Sequence, residues 1–73
     1  MKIEDGRVYC HMMWENGHEL KLVPRDRKDT RANRCVDMHL FNEEGDETVA
    51  RLDSGALRTI AAKFDELADW VDE

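Results

Sequence analysis

Leu57, Ile60, Ala61, Phe64, Leu67, Ala68 and Val71 recur at intervals of three and four residues, the spacing that lines up side chains on one side of an α-helix. The pattern predicts an amphipathic helix over residues 54–71. Asp53 stands where an N-cap is needed, Leu52 and Leu57 are placed for a hydrophobic staple across the cap, and Gly55 weakens the first turn slightly. A helix with one apolar stripe must bury it against another layer. In a chain of 73 residues that layer has to come from the residues before it.

Those residues read as strands. Two apolar runs between Arg7 and Val23 flank Glu15-Asn16-Gly17-His18, and Asn-Gly is the strongest short-range hairpin signal because both residues tolerate positive φ. Two registers are open. A two-residue loop sets Met13 opposite Leu20 and His11 opposite Leu22. A three-residue loop with Gly17 in a bulge sets Met12 opposite Leu20 and Cys10 opposite Leu22. The second is favoured, since it aligns Val8, Cys10, Met12 and Trp14 with the leucines and keeps Glu19 and Lys21 in water.

Residues 24–34 follow, with Ala32 as the only apolar residue after Pro24, and are expected to form an exposed, mobile basic loop. Strands are predicted at 35–42, where Val36, Met38 and Leu40 alternate with Cys35, Asp37 and His39, and at 48–52 after the polar turn Glu43-Glu44-Gly45-Asp46. The expectation is one α+β domain over 1–73: a four-stranded antiparallel sheet, mostly meander, with the C-terminal helix packed on one face. Tyr9, His11, Met13, Val23, Cys35, Asp37, His39 and Phe41 would then lie on the open face, where a homodimer could form.

With 41% hydrophobic and 38% charged residues, there is material for one layer of helix on sheet but none for a deep pocket, and the expectation is a protein that is not an enzyme and takes no cofactor. Cys10, His11, His18, Cys35 and His39 are metal-ligand types, yet no Cys-x-x-Cys or helical His pair occurs. Cys35 and His39 on one strand would be roughly 13 Å apart at about 3.3 Å per residue, too far to share an ion, so no metal site is expected. A catalytic cysteine would need an electropositive pocket and an oriented base, for which this chain has no room. No stretch is long and apolar enough to span a membrane and no basic-then-apolar leader opens the sequence, so a soluble cytoplasmic protein with two reduced thiols is expected.

Charge is distributed more informatively than any motif. The chain totals -6, but in residues 21–34 six bases against two acids leave +4, and in residues 35–73 eleven acids against three bases leave -8. The acids gather in the turn Glu43, Glu44, Asp46, Glu47 and in the helix at Asp65, Glu66, Asp69, Asp72, where they oppose the macrodipole. A sequence tuned only for stability would place lysines there. These carboxylates are the candidate contact surface, imitating phosphate spacing to engage a basic surface on a larger protein. Arg25, Arg27, Lys28, Arg31 and Arg34 form a second candidate, but without an aromatic residue for base stacking and on a chain that repels phosphate, direct nucleic-acid binding is disfavoured. Trp14 and Trp70 either edge a thin core or mark a contact patch.

The leading expectation is a small acidic binding protein acting as an inhibitor that blocks a nucleic-acid-binding surface of a host or cognate protein. Phage-encoded anti-CRISPR proteins and DNA mimics have this size and charge, which is an analogy carried by no motif. The alternatives are an accessory or dimerisation module without inhibitory role, and a nucleic-acid binder using the loop.

Overall fold

Asn16 and Gly17 turn the chain through a three-residue loop. The Gly17 N–H donates to the Trp14 carbonyl at 3.0 Å, the Trp14 N–H donates to the His18 carbonyl at 2.9 Å, and Gly17 has φ +92°. The competing two-residue turn would need positive φ at Asn16 as well, and among the described residues only glycines have it. The register that results sets Met12 opposite Leu20 and Cys10 opposite Leu22, as the bulged alternative predicts.

The structure, a computed structural model, describes residues 3–26 and 34–73. Strands β1 (Cys10–Met13), β2 (Glu19–Asp26), β3 (Arg34–Phe41) and β4 (Glu47–Leu52) form an antiparallel sheet in the order β1-β2-β3-β4, followed by helix α1 (Ser54–Val71). The α+β meander is therefore as expected. The third and fourth strands, Arg34–Phe41 and Glu47–Leu52, lie within one residue of the expected bounds, and two boundaries differ by more. The first strand begins at Cys10, because residues 4–7 turn: the Arg7 N–H reaches the Glu4 carbonyl at 3.3 Å and the Arg7 guanidinium reaches the Glu4 carboxylate at 2.8 Å.

The second difference corrects the loop expected at 24–34. Pro24, Arg25 and Asp26 belong to β2, paired with Val36, Cys35 and Arg34 of β3, and only residues 27–33 of that segment lie outside the described residues. Pro24 is tolerated because its carbonyl accepts the Gly6 N–H at 2.8 Å, so its nitrogen faces the same side, where β1 has not yet begun. The ladder to β3 loses no donor.

Because side chains alternate along a strand, the register sorts the sheet into two unlike faces. One carries Met12, Leu20, Leu40 and Thr48 in one row, Cys10, Leu22, Met38 and Ala50 in the next, and Pro24, Val36 and Leu52 in the third. Beyond these, at the end of the β2–β3 ladder, the same face carries the charged pair Asp26 and Arg34. The other face carries His11, Glu19, Lys21, Arg25, Asp37, His39, Glu47 and Arg51 among its apolar residues.

Helix α1 is capped by the Asp53 side chain, which accepts the Ala56 N–H at 2.8 Å. Its packing contact is with β4, and it is made by the start of the helix: Ala56, Leu57 and Ile60 are half-buried, whereas every residue from Ala61 onward is exposed. The expectation that the stripe covers a sheet face over its whole length is thus met only in the first two turns. From Ala61 on, the stripe runs past the contact with β4 and stays in water. Among the described residues only Cys35 and Asp37 are buried, and no side chain is fully enclosed.

Candidate functional site

The acidic turn between β3 and β4 is built by one side chain. Asn42 Oδ1 accepts the backbone N–H groups of Glu44 and Asp46, both at 2.9 Å, while the Asn42 N–H donates to the Asp46 carbonyl and the Gly45 N–H to the Asn42 carbonyl, each at 3.0 Å. Such an arrangement is the local use of Asn that competes successfully with regular structure at turns. Glu43, Glu44, Asp46 and Glu47 are all exposed around it. Gly17 of the neighbouring hairpin lies against the turn, close enough that a methyl group there would meet Glu43 Cα at 3.3 Å. The two turns therefore form one end of the sheet.

Glu47, the first residue of β4, stands 3.5 Å from His39 Nδ1, and His11 Nε2 lies 3.1 Å from Glu19 Oε1. Each histidine on this face is thus matched to a carboxylate. Cys10 and Cys35 fall on opposite faces of the sheet, which separates the two thiols. Among the described residues no three His, Cys, Asp or Glu side chains converge as metal ligands, and no helix is long and apolar enough to cross a membrane.

Asp65, Glu66, Asp69 and Asp72 are exposed along the second half of α1. At 3.6 residues per turn they lie off the apolar stripe, with Asp65, Asp69 and Asp72 following one another along the helix. Lys63 reaches Glu66 at 3.4 Å, and Asp72 closes the helix, its N–H donating to the Ala68 carbonyl at 3.1 Å. These acids and those of the turn stand on separate elements. The helix starts beside Leu52, at the opposite end of β4 from Glu47.

The basic candidates divide. Arg25 sits 3.7 Å from the Asp5 carboxylate and Arg34 sits 3.7 Å from that of Asp26, its partner across the β2–β3 ladder. Two of the five cations are thus paired with acids of the same chain; Arg27, Lys28 and Arg31 lie outside the described residues.

Trp14 flanks a shallow open groove of about 540 Å³ at the turn end of the sheet, shared with Leu40, Phe41 and His18. Trp70 projects from the last turn of α1 beside Phe64, Leu67 and Val71, all four between 56% and 71% exposed. Sequence reasoning assigned Phe64, Leu67 and Val71 to the packed stripe and left Trp70 open between a core edge and a contact patch. The stripe spans about four turns, residues 57–71, and its periodicity does not distinguish a surface that is buried from one that stays exposed.

Comparison with protein-family models, with curated proteins and with solved structures gives no match.

Proposed function

We propose that this chain is a small non-enzymatic binding protein that uses its carboxylates to occupy a basic, nucleic-acid-binding surface of a larger protein. The observation that carries the reading is the Asn42 clamp, which holds Glu43, Glu44 and Asp46 outward on a fixed turn. Carboxylates carried on a turn whose backbone is fixed before binding lose less conformational entropy on contact than carboxylates on a floppy tail. The helix acids have the same quality, projecting from a regular element at fixed spacing. Opposed potentials of this kind speed encounter and exclude wrong partners. Blocking such a surface is the mode of phage-encoded inhibitors, and the size and charge of this chain fit it.

The basic segment is the weaker candidate, because Arg25 and Arg34 already face Asp5 and Asp26. The test is affinity capture from a lysate by the wild-type chain and by two charge-reversed variants, Glu43→Lys with Glu44→Lys, and Asp65→Lys with Asp69→Lys. Capture of a nucleic-acid-binding protein that added DNA displaces, and that either variant loses while keeping its circular dichroism, supports the reading. Capture that DNA does not disturb and that neither reversal weakens refutes it.

A further inference from the structure

Strand β4 is one edge of the sheet, and its outer side is open. The Asn42 N–H donates to the Asp46 carbonyl at 3.0 Å, and hydrogen-bonded pairs alternate along an antiparallel ladder. Thr48, Ala50 and Leu52, opposite Leu40, Met38 and Val36, therefore turn their backbone groups toward β3. Glu47, Val49 and Arg51 turn theirs outward, where the described residues offer no backbone partner. All three are exposed, so helix α1, which packs on β4, does not cover them. The other edge is shorter, with four residues in β1 against six in β4.

An open edge is a template for another strand, and proteins ordinarily guard it with charges that an added strand would leave unmatched. On β4 the guarding charges are of opposite sign and symmetric: Glu47 and Arg51 stand two residues to either side of Val49. In an antiparallel copy centred on Val49, each glutamate falls opposite an arginine. Opposite charges facing each other across strands stabilise a sheet, and like charges weaken it. We infer that the chain forms a homodimer by antiparallel pairing of β4 with β4 of a second copy, about a two-fold axis at Val49, which joins the two sheets into one.

The register follows from the same residues. An axis falling between two residues would set an outward-turned residue opposite an inward-turned one, so the axis must pass through a residue. About Thr48 the pairing would leave Arg51 opposite Gly45, and about Ala50 it would set Glu47 against Asp53. Only about Val49 do the three outward residues pair among themselves, in a join that closes on itself. The side chains suit it. Arg51 engages Asp37 through Nε at 3.2 Å, and its guanidinium has further N–H donors to offer. Glu47 shares its row with Phe41, Glu19 and Met13, so a second copy supplies the cation that this row lacks. A foreign strand would need the same two charges at the same spacing, whereas a second copy has them by symmetry. The join uses the edge, not the open sheet face that the sequence suggests. It does not rest on the binding function proposed above, whose Glu43 and Glu44 lie in the turn before β4.

Sedimentation equilibrium of the purified chain tests the inference. Twice the chain mass is expected at high concentration, with dissociation on dilution, since a single pair of edge strands is a small interface. Val49→Pro removes an N–H that faces outward and so takes no donor from the β3–β4 ladder. It should reduce the mass to that of one chain and leave the circular dichroism unchanged. Glu47→Arg sets arginine against arginine at both ends of the join and should have the same effect, which keeps the test decisive should the proline disturb the fold. Cysteines placed singly at Thr48, Val49 and Ala50, in a Cys10→Ser, Cys35→Ala background, read the register. Under mild oxidation Val49→Cys should form a covalent pair, because directly opposite Cα atoms about 5.5 Å apart lie within disulfide reach. Thr48→Cys and Ala50→Cys should not, each being displaced from its copy by about 7 Å along the strand. Any of four results would overturn the inference: a single-chain mass up to about 1 mM, a dimer that both Val49→Pro and Glu47→Arg leave intact, growth beyond two chains, or no covalent pair from Val49→Cys.

Discussion

Arg51 Nε donates to Asp37 Oδ1 at 3.2 Å across the β3–β4 ladder, where the two residues stand directly opposite one another. Asp37 is one of the two buried residues among those described, while the Arg51 side chain is more than half exposed. Removing one partner therefore has unequal consequences. Arg51→Ala leaves a buried carboxylate without its cation, whereas Asp37→Ala frees an arginine that water can solvate. Arg51→Ala is expected to cost about 1–2 kcal/mol, and Lys63→Ala, at the exposed pair with Glu66, less than about 0.5 kcal/mol. Urea unfolding of the two variants measures the difference, and equal midpoints would refute it.

Gly17 combines a positive φ with a neighbour. At φ +92° any side chain is strained, and a Cβ there would press on the Glu43 backbone at 3.3 Å. At Gly6, with φ +77°, the space is open. Both changes to alanine carry the conformational cost of about 1 kcal/mol, and only Gly17→Ala adds displacement of the acidic turn. Chemical-shift changes at Glu43 and Glu44 in Gly17→Ala, absent from Gly6→Ala, are the expected result.

Asp53→Ala removes the acceptor for the Ala56 N–H and should cost about 1 kcal/mol. The effect is expected to be visible as lost helical circular dichroism rather than only as a lower midpoint. The reason lies in how α1 is held: packing supports its first two turns, and a helix of this length is marginal without packing or caps.

The hairpin register was legible because two local requirements agreed: Gly17 accepts the positive φ, and the three-residue loop keeps Lys21 and Glu19 off the leucine face. Pro24 misled, since a proline after an apolar run reads as a strand end. Only the position of Gly6 beside its carbonyl reveals that the missing N–H faces an empty edge. The helix stripe was legible as a pattern, but periodicity reports that a surface is to be buried and says nothing about what buries it. That is why Phe64 and Leu67 read as core and stand exposed in the single chain. The acidic positions were legible as charge, while the Asn42 clamp that orders them was not, because Asn42 could equally have ended a strand in water.

No basic residue occupies the last turn of α1, and Asp69 and Asp72 sit where the helix already presents unpaired carbonyls. Each carboxylate there costs a few tenths of a kcal/mol. Asp69→Lys with Asp72→Lys should therefore raise the thermal midpoint and the helical signal. If these acids are a contact surface, the same variant should lose the captured partner, so stability and binding would move in opposite directions. A merely solvating role predicts a different pair of results, a more stable protein with capture unchanged. Measuring the midpoint and the captured fraction on the same preparation decides between the two, because a variant that binds less only through misfolding would also melt lower.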